Sequence, residues 1–240
     1  MIHCSLESIA LGGLQQIKKL PPGIAVGKPH ALLDIKFSKT LTFFLHWIAS
    51  RHFSCYNKVN ANILYAKKCR KVNGFMKILV LSDSHSSLYF MRRVIAMVKP
   101  NAVVHLGDFY EDGEAMAQEN PHLLFHIVPG NCDLYRPGGL KPAVLCYNVC
   151  GVRLYMTHGH NHKVKLTQGL LLKDARQAQA QAVLYGHTQK PDCHREEDGL
   201  WVLNPGSCGH AGGSVGLIET ENGQILSCRV LGQEELEEYK

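Results

Sequence analysis

From residue 76 onward short apolar runs recur, and five of them end directly in a polar segment: Asp83-Ser84-His85, Gly107-Asp108, Gly130-Asn131-Cys132-Asp133, Thr157-His158-Gly159-His160 and Gly186-His187-Thr188. Runs this short, bounded by Gly and Asp, read as strands buried on both faces rather than as helices. Residues 77–81 form the first. Leu88, Met91, Ile95 and Val98 then follow helical spacing, with Ser86 or Ser87 as a cap and Pro100 as a stop. Residues 102–106 form the next strand. A strand, crossover helix and strand make a parallel unit whose two strands end on the same sheet edge. Asp83 and Asp108 are thereby brought together.

The same alternation continues. A short helix over residues 114–119 leads to a third strand, 123–128, which ends at Pro129-Gly130-Asn131. Residues 144–149 and 152–157 flank Cys150-Gly151 as a hairpin, and a helix over 165–181 leads into a strand at 182–185. His158 and His187 follow the ends of those strands. Beyond them, turns at Glu197-Asp198-Gly199 and Glu221-Asn222-Gly223 separate β-rich runs that read as antiparallel hairpins. The pattern implies two sheets packed face to face and covered by helices.

Residues 1–75 have a different texture. They hold 11 of the 26 Lys and Arg but 2 of the 20 acids, show no steady periodicity and carry breakers such as Pro21-Pro22-Gly23. We expect them to be a basic leader, disordered or not natively translated, and residues 76–240 to be the folded domain. A transit peptide is the rival reading, weakened by low Ser and only two Arg, Arg51 and Arg70. Because the whole positive excess lies in the leader, nucleic-acid binding by the core is not expected. Nine cysteines without C-x-x-C spacing give no support to a disulfide framework or a thiolate zinc site, and suit a reducing cytoplasm. The most apolar run, residues 41–49, is interrupted by His46 and falls short of the ~20 residues a bilayer span needs. No membrane attachment is expected.

Hydrolysis of a phosphate ester needs positive charge on the phosphoryl oxygens and an oxygen nucleophile available at neutral pH. Two divalent ions ~3.5 to 4 Å apart supply both. Such a pair wants a shared carboxylate plus imidazole, amide and carboxylate donors, with no soft thiolates. Asp83, His85, Asp108, Asn131, His158 and His187 are such a set.

These residues, within Ser82-Asp83-Ser84-His85, Leu106-Gly107-Asp108, Val128-Pro129-Gly130-Asn131-Cys132-Asp133, Thr157-His158-Gly159-His160, Gly186-His187-Thr188 and Leu203-Asn204-Pro205-Gly206-Ser207, give the chain a resemblance to the calcineurin-like metallophosphoesterases, and within them to the YfcE-type prokaryotic phosphodiesterases. The resemblance spans about residues 76–231. It implies a four-layer α/β/β/α sandwich of two mixed β-sheets flanked by helices. It implies a metal-dependent phosphodiesterase in which Asp83 and His85 hold one ion, Asn131, His158 and His187 the other, and Asp108 bridges them, with a metal-bridging hydroxide as nucleophile. Mn²⁺ is the expected metal, with Fe, Ni or Zn set by availability.

Two departures stand out. Cys132 occupies a place where many members of the wider superfamily carry a proton-donating His, and either donates the proton or merely packs; His160, or His162, is the alternative donor. Gln189 replaces the second His of the family's Gly-His-Thr-His, so the first ion loses an imidazole and takes an amide oxygen or a water in its place, unless His194 compensates. The expectation is a weaker first site. Asp133 either accepts a hydrogen bond from a ligand imidazole or caps its own loop. Asn204 and Ser207 read first as a tight turn, and Arg136 as a surface residue before a phosphate clamp. A small phosphodiester is the expected partner, and a homo-oligomer is compatible with the chain. Two alternatives stay open: a scaffold that has lost catalysis, as in the eukaryotic retromer subunit of the same fold, and a phosphomonoesterase or nucleotide phosphatase on the same site.

Overall fold

The computed structural model describes residues 74–209 and 213–239, so the expected leader lies outside the described residues except for its last two. Among the described residues ten strands form two five-stranded sheets. The first sheet holds β1 (Phe75–Leu81), β2 (Ala102–His105), β3 (Leu124–Ile127), β9 (Val215–Glu221) and β10 (Gln224–Leu231), in the order β10-β9-β1-β2-β3. The second holds β4 (Val144–Val149), β5 (Val152–Thr157), β6 (Ala182–Leu184), β7 (Asp192–Arg195) and β8 (Trp201–Asn204), in the order β4-β5-β6-β8-β7.

Alternation along β1 shows why the layers stack. Ile78 and Val80 enter the core between the sheets with Val104, Leu154, Met156 and Leu184, while Leu79 and Leu81 face the other way. On that outer face they meet Met91, Val94 and Val98 of α1 (Leu88–Val98) and Met116 of α2 (Tyr110–Glu119). The second sheet turns Val183 and Val202 outward onto Leu171 and Ala175 of α3 (Gly169–Gln177). A short α4 (Gln233–Glu237) sets Leu236 against the first helical layer. Helix, sheet, sheet, helix is the four-layer sandwich expected, with strands apolar on both faces because both are covered.

Several local expectations shift. Ser87 takes the cap position of α1 without a side-chain capping bond, and Lys99 in the left-handed region ends the helix just before Pro100. The short helix begins at Tyr110 rather than at 114. The helix expected over 165–181 shrinks to α3, because Gly169 and the turns before it break the apolar periodicity. The C-terminal runs pair antiparallel as expected (β7 with β8, β9 with β10), but β8 also pairs in parallel with β6. Among the described residues no helix is long and apolar enough to cross a membrane.

Candidate metal centre

β1 pairs in parallel with β2, and β2 with β3, so the segments after all three open on one edge of the first sheet. β5 and β6 do the same in the second sheet. The seven expected ligand residues all lie in those segments, and five of them (Asp83, Asp108, His85, His187 and Gln189) have φ between 44° and 66°. Left-handed backbone at residues other than glycine costs about 1–3 kcal/mol each and persists only where the surroundings over-determine it. Glycine closes the approach between the loops. A Cβ on Gly107, whose φ is +94°, would meet the Gly130 nitrogen at 2.4 Å, and one on Gly130 would meet Asp108 Oδ1 at 2.1 Å.

Donor atoms of Asp83, His85 and Asp108 lie within 4.8 Å of one another. Asp83 is fully buried; its Oδ2 accepts from Ser82 Oγ at 2.5 Å and from the His187 amide at 3.2 Å. Burial pushes its pKa up, with Asp108 adding to the shift and His158 opposing it. Asp108 Oδ1 accepts the Cys132 amide at 2.9 Å. Burial works to raise the Asp108 carboxyl, but His158, the Cys132 bonds and His85 hold it below its ordinary value.

The other half is organised around His158. Its Nδ1 donates to the Leu106 carbonyl at 2.7 Å, which ties one sheet to the other and, in the neutral ring, leaves the lone pair on Nε2. That atom faces Asn131 Oδ1 at 3.1 Å and Asp108 Oδ1 at 3.5 Å. Three acceptors at this range repel unless a cation or a proton lies among them. The His187 ring stands 5.1 Å from that of His158, and burial pushes its pKa down to about 4, so it too offers a lone pair at neutral pH. Nitrogen and oxygen donors without a thiolate are the chemistry a pair of divalent first-row ions takes, and the residues fit such ions.

Around this centre the structure redistributes the remaining expectations. Gln189 reaches the first half: its Nε2 lies 3.5 Å from Asp83 Oδ1 and 3.2 Å from His85 Nε2. His160 borders the second half, its ring 5.5 Å from His158 and 6.2 Å from His187. His162 turns away to Tyr155 and Asp174, and His194 is held between Asp192 and Glu196, so neither joins the centre. Cys132 is exposed rather than packed, with its thiol pushed up to about 11 by burial and by Asp108. Arg136 lies on the surface, its guanidinium 4.4 Å from the Phe109 ring centre and 3.7 Å from Glu111.

Asp133 meets no imidazole. Its Oδ1 accepts the amides of Phe109 and Tyr110, and its Oδ2 that of Gly130, which fastens the Asp108 loop to the Asn131 loop. Asn204 and Ser207 do more than turn the chain. Buried Asn204 donates to the Gly186 carbonyl and to Thr188 Oγ1 on either side of His187, and Ser207 Oγ donates to the Asp83 carbonyl at 2.9 Å. Two buried residues, His105 and Asp112, were not legible as part of the centre; the one signal was a polar side chain inside the apolar run before Gly107. A surface cavity of about 480 Å³, lined by Arg176, Arg195 and Trp201 among others, contains none of the expected ligands.

Comparison with known proteins bears on family and fold. The family model for the calcineurin-like phosphoesterase superfamily domain matches residues 76–223. The chain is similar to a probable metallophosphoesterase of Mycoplasma pneumoniae, at 27% identity over 134 residues, which is 55% of this chain and 78% of that protein. It is equally similar to the probable metallophosphoesterase YsnB of Bacillus subtilis, 27% identical over 135 residues, covering 55% of this chain and 75% of that one. In fold it resembles a conserved uncharacterized protein of Streptococcus pneumoniae, described as a predicted phosphoesterase, with a TM-score of 0.55 at 24% identity over 67% of this chain and 91% of that one. It also resembles Vacuolar Protein Sorting 29 of Cryptosporidium parvum, with a TM-score of 0.52 at 18% identity over 66% of this chain and 99% of that one.

Proposed function

The chain belongs to the calcineurin-like phosphoesterase superfamily, and from that premise we propose that it is a divalent-metal-dependent phosphodiesterase acting on a small diester. In this reading Asp83 and His85 hold one ion, with Gln189 in place of an imidazole. Asn131, His158 and His187 hold the other, and Asp108 is shared. Bound ions supply Lewis acidity and lower the pKa of water so that a nucleophile exists at neutral pH. The chain's own part is to orient: the Leu106 carbonyl fixes the His158 tautomer, and the Cys132 amide aims Asp108. Mn²⁺ is the metal we assign, because the donors are nitrogen and oxygen. A cytoplasmic setting is part of the proposal, supported by six free thiols among the described residues.

The observation that carries this reading is the convergence of His158 Nε2, Asn131 Oδ1 and Asp108 Oδ1, all acceptors, beside the Asp83/His85/Asp108 group. The test is hydrolysis of bis(p-nitrophenyl) phosphate by protein stripped of metal and then supplied with Mn²⁺, alongside Asp83→Asn and His158→Ala. We expect Mn²⁺ to restore turnover and each substitution to lower it by about 100-fold or more, since loss of even an outer partner costs about 10 to 100-fold. Faster hydrolysis of p-nitrophenyl phosphate would assign a phosphomonoesterase instead.

One observation favours a second reading. The Gln189 amide nitrogen faces Asp83 and His85, where a hydrogen-bond donor competes with a cation for the same lone pairs. A first half weakened in this way suits a binding module with little catalysis. Metal binding without hydrolysis of either ester decides for it.

A further inference from the structure

Beneath the Asp83/His85 half runs a buried polar chain with no place in the ligand set. His105, on β2 in register with Leu81 of β1, is fully buried. Its Nδ1 accepts the Gly107 amide at 3.4 Å, so the proton sits on Nε2, which faces Ser84 Oγ at 3.1 Å. Ser84 therefore accepts from His105 and turns its own hydroxyl to Asp112 Oδ2, 2.7 Å away. The same Asp112 oxygen accepts the Ser86 amide at 2.8 Å. Asp112 lies in the first turn of α2, where the helix dipole favours a carboxylate. Ser84 and Ser86 are the two residues on either side of His85.

We infer that His105, Ser84 and Asp112 form a positioning relay that sets the direction of the His85 side chain and thereby the affinity of the first metal site. The segment it grips at Ser84 and Ser86 is strained: φ is 70° at Ser86, and 52° at Asp83 and 44° at His85 on either side of Ser84. Such backbone relaxes when its fasteners are removed. A lone buried serine would supply no direction, because its hydroxyl rotates to suit any neighbour. The relay removes that freedom, with a donor on one side and an anionic acceptor on the other.

This inference rests on the metal-dependent reading above, so its test has one arm with metal and one without. In calorimetric titration of metal-stripped full-length protein with Mn²⁺, the equivalent lost in Asp83→Asn identifies the first site. His105→Leu and Ser84→Ala are expected to weaken that equivalent by about 10-fold or more and to leave the other unchanged. His105→Gln and Ser84→Thr, which keep a donor and a hydroxyl, are expected to recover it. Equal affinities in all four variants, or equal weakening of both equivalents, overturns the relay.

Without metal, hydrogen exchange of the Ser86 amide is expected to speed up by about 10-fold or more in His105→Leu and Ser84→Ala, while the amide of Val80 in β1 keeps its wild-type rate. Unchanged Ser86 exchange, or Ser86 and Val80 exchange rising together, overturns the relay whether or not metal binds. If wild-type protein binds no Mn²⁺ while the variants still show the Ser86 effect, the phosphodiesterase reading falls, the relay's hold on the His85 loop stands and its effect on metal affinity is overturned.

Discussion

The half of the centre carrying Asn131, His158 and His187 is fastened largely by bonds between a side chain and a backbone group, whereas the half carrying Asp83 and His85 also leans on bonds between two side chains. In the former, His158 rests on the Leu106 carbonyl, the Gly186 amide donates to the His158 carbonyl at 3.0 Å, and Asp133 gathers three amides. In the latter, Ser82, Ser84, Ser207 and Asp112 supply the ties, and Gln189 stands at the edge. A bond with a backbone end depends on one side chain, because nearly every residue type offers an amide and a carbonyl. A bond between side chains depends on two, and Gln189 departs from the family pattern on the side-chain half.

Asp133→Ala tests the backbone half most severely. It strips three amides, two of them buried, of a charged acceptor; with bonds to charged groups worth about 1.5–3 kcal/mol each, unfolding free energy in urea is expected to fall by about 5 kcal/mol. A loss below about 1 kcal/mol would break the comparison. In the side-chain half the weak point is acid. Burial pushes His105 down to about 4 from 6.5, outweighing the nearby Asp112 and Asp133 that favour its protonated form.

The unfolded chain therefore binds this proton first. The His105 contribution is complete above about pH 6.5 and drains as pH falls toward 4, by up to about 3 kcal/mol. Denaturation across that range should show a shallower slope in His105→Gln than in wild type, the remainder coming from His126 and His187, which burial also pushes down to about 4.

Asp108→Asn touches both halves at once. It should lower kcat/KM by about 100-fold or more and weaken both Mn²⁺ equivalents, whereas loss of one equivalent alone would deny Asp108 its shared role. Gln189→His should act on one half only. The Mn²⁺ concentration for half-maximal turnover is expected to fall about 10-fold, with no change at the other site; no fall removes Gln189 from the ligand set. The smallest effect is that of Ser207→Ala, which deletes one bond to the Asp83 carbonyl and one from the Gly209 amide and should cost about 1–2 kcal/mol in thermal unfolding.

How much of this was legible before the structure follows the range of each interaction. The β1-α1-β2 unit was readable because its signals (apolar runs, helical spacing, Pro100) lie within a few residues of one another. The shared edge of Asp83 and Asp108 followed from it, since parallel strands must end on the same edge, and Asn131, His158 and His187 were placed by the ends of later apolar runs. The extent of α3 was overread, because Ala and Gln at 178–181 favour a helix locally while the chain must turn there to enter β6. Asp133 stayed open between an imidazole partner and a loop cap for a related reason, and the structure makes it the cap. A carboxylate beside two ligand loops can serve an imidazole or an amide, and nothing along the chain ranks them.

What the sequence by itself determined is the alternation that forces two covered sheets and the set of nitrogen and oxygen donors on their edges, because periodicity and residue chemistry are local properties. Only the tertiary structure decided which atoms meet: the His158 tautomer set by a carbonyl 52 residues away, the Ser207 tie spanning 124 residues, and the Gln189 amide drawn to His85 across 104. Hydrogen bonds act over about 3 Å, and contacts between residues so far apart exist only after both sheets have packed.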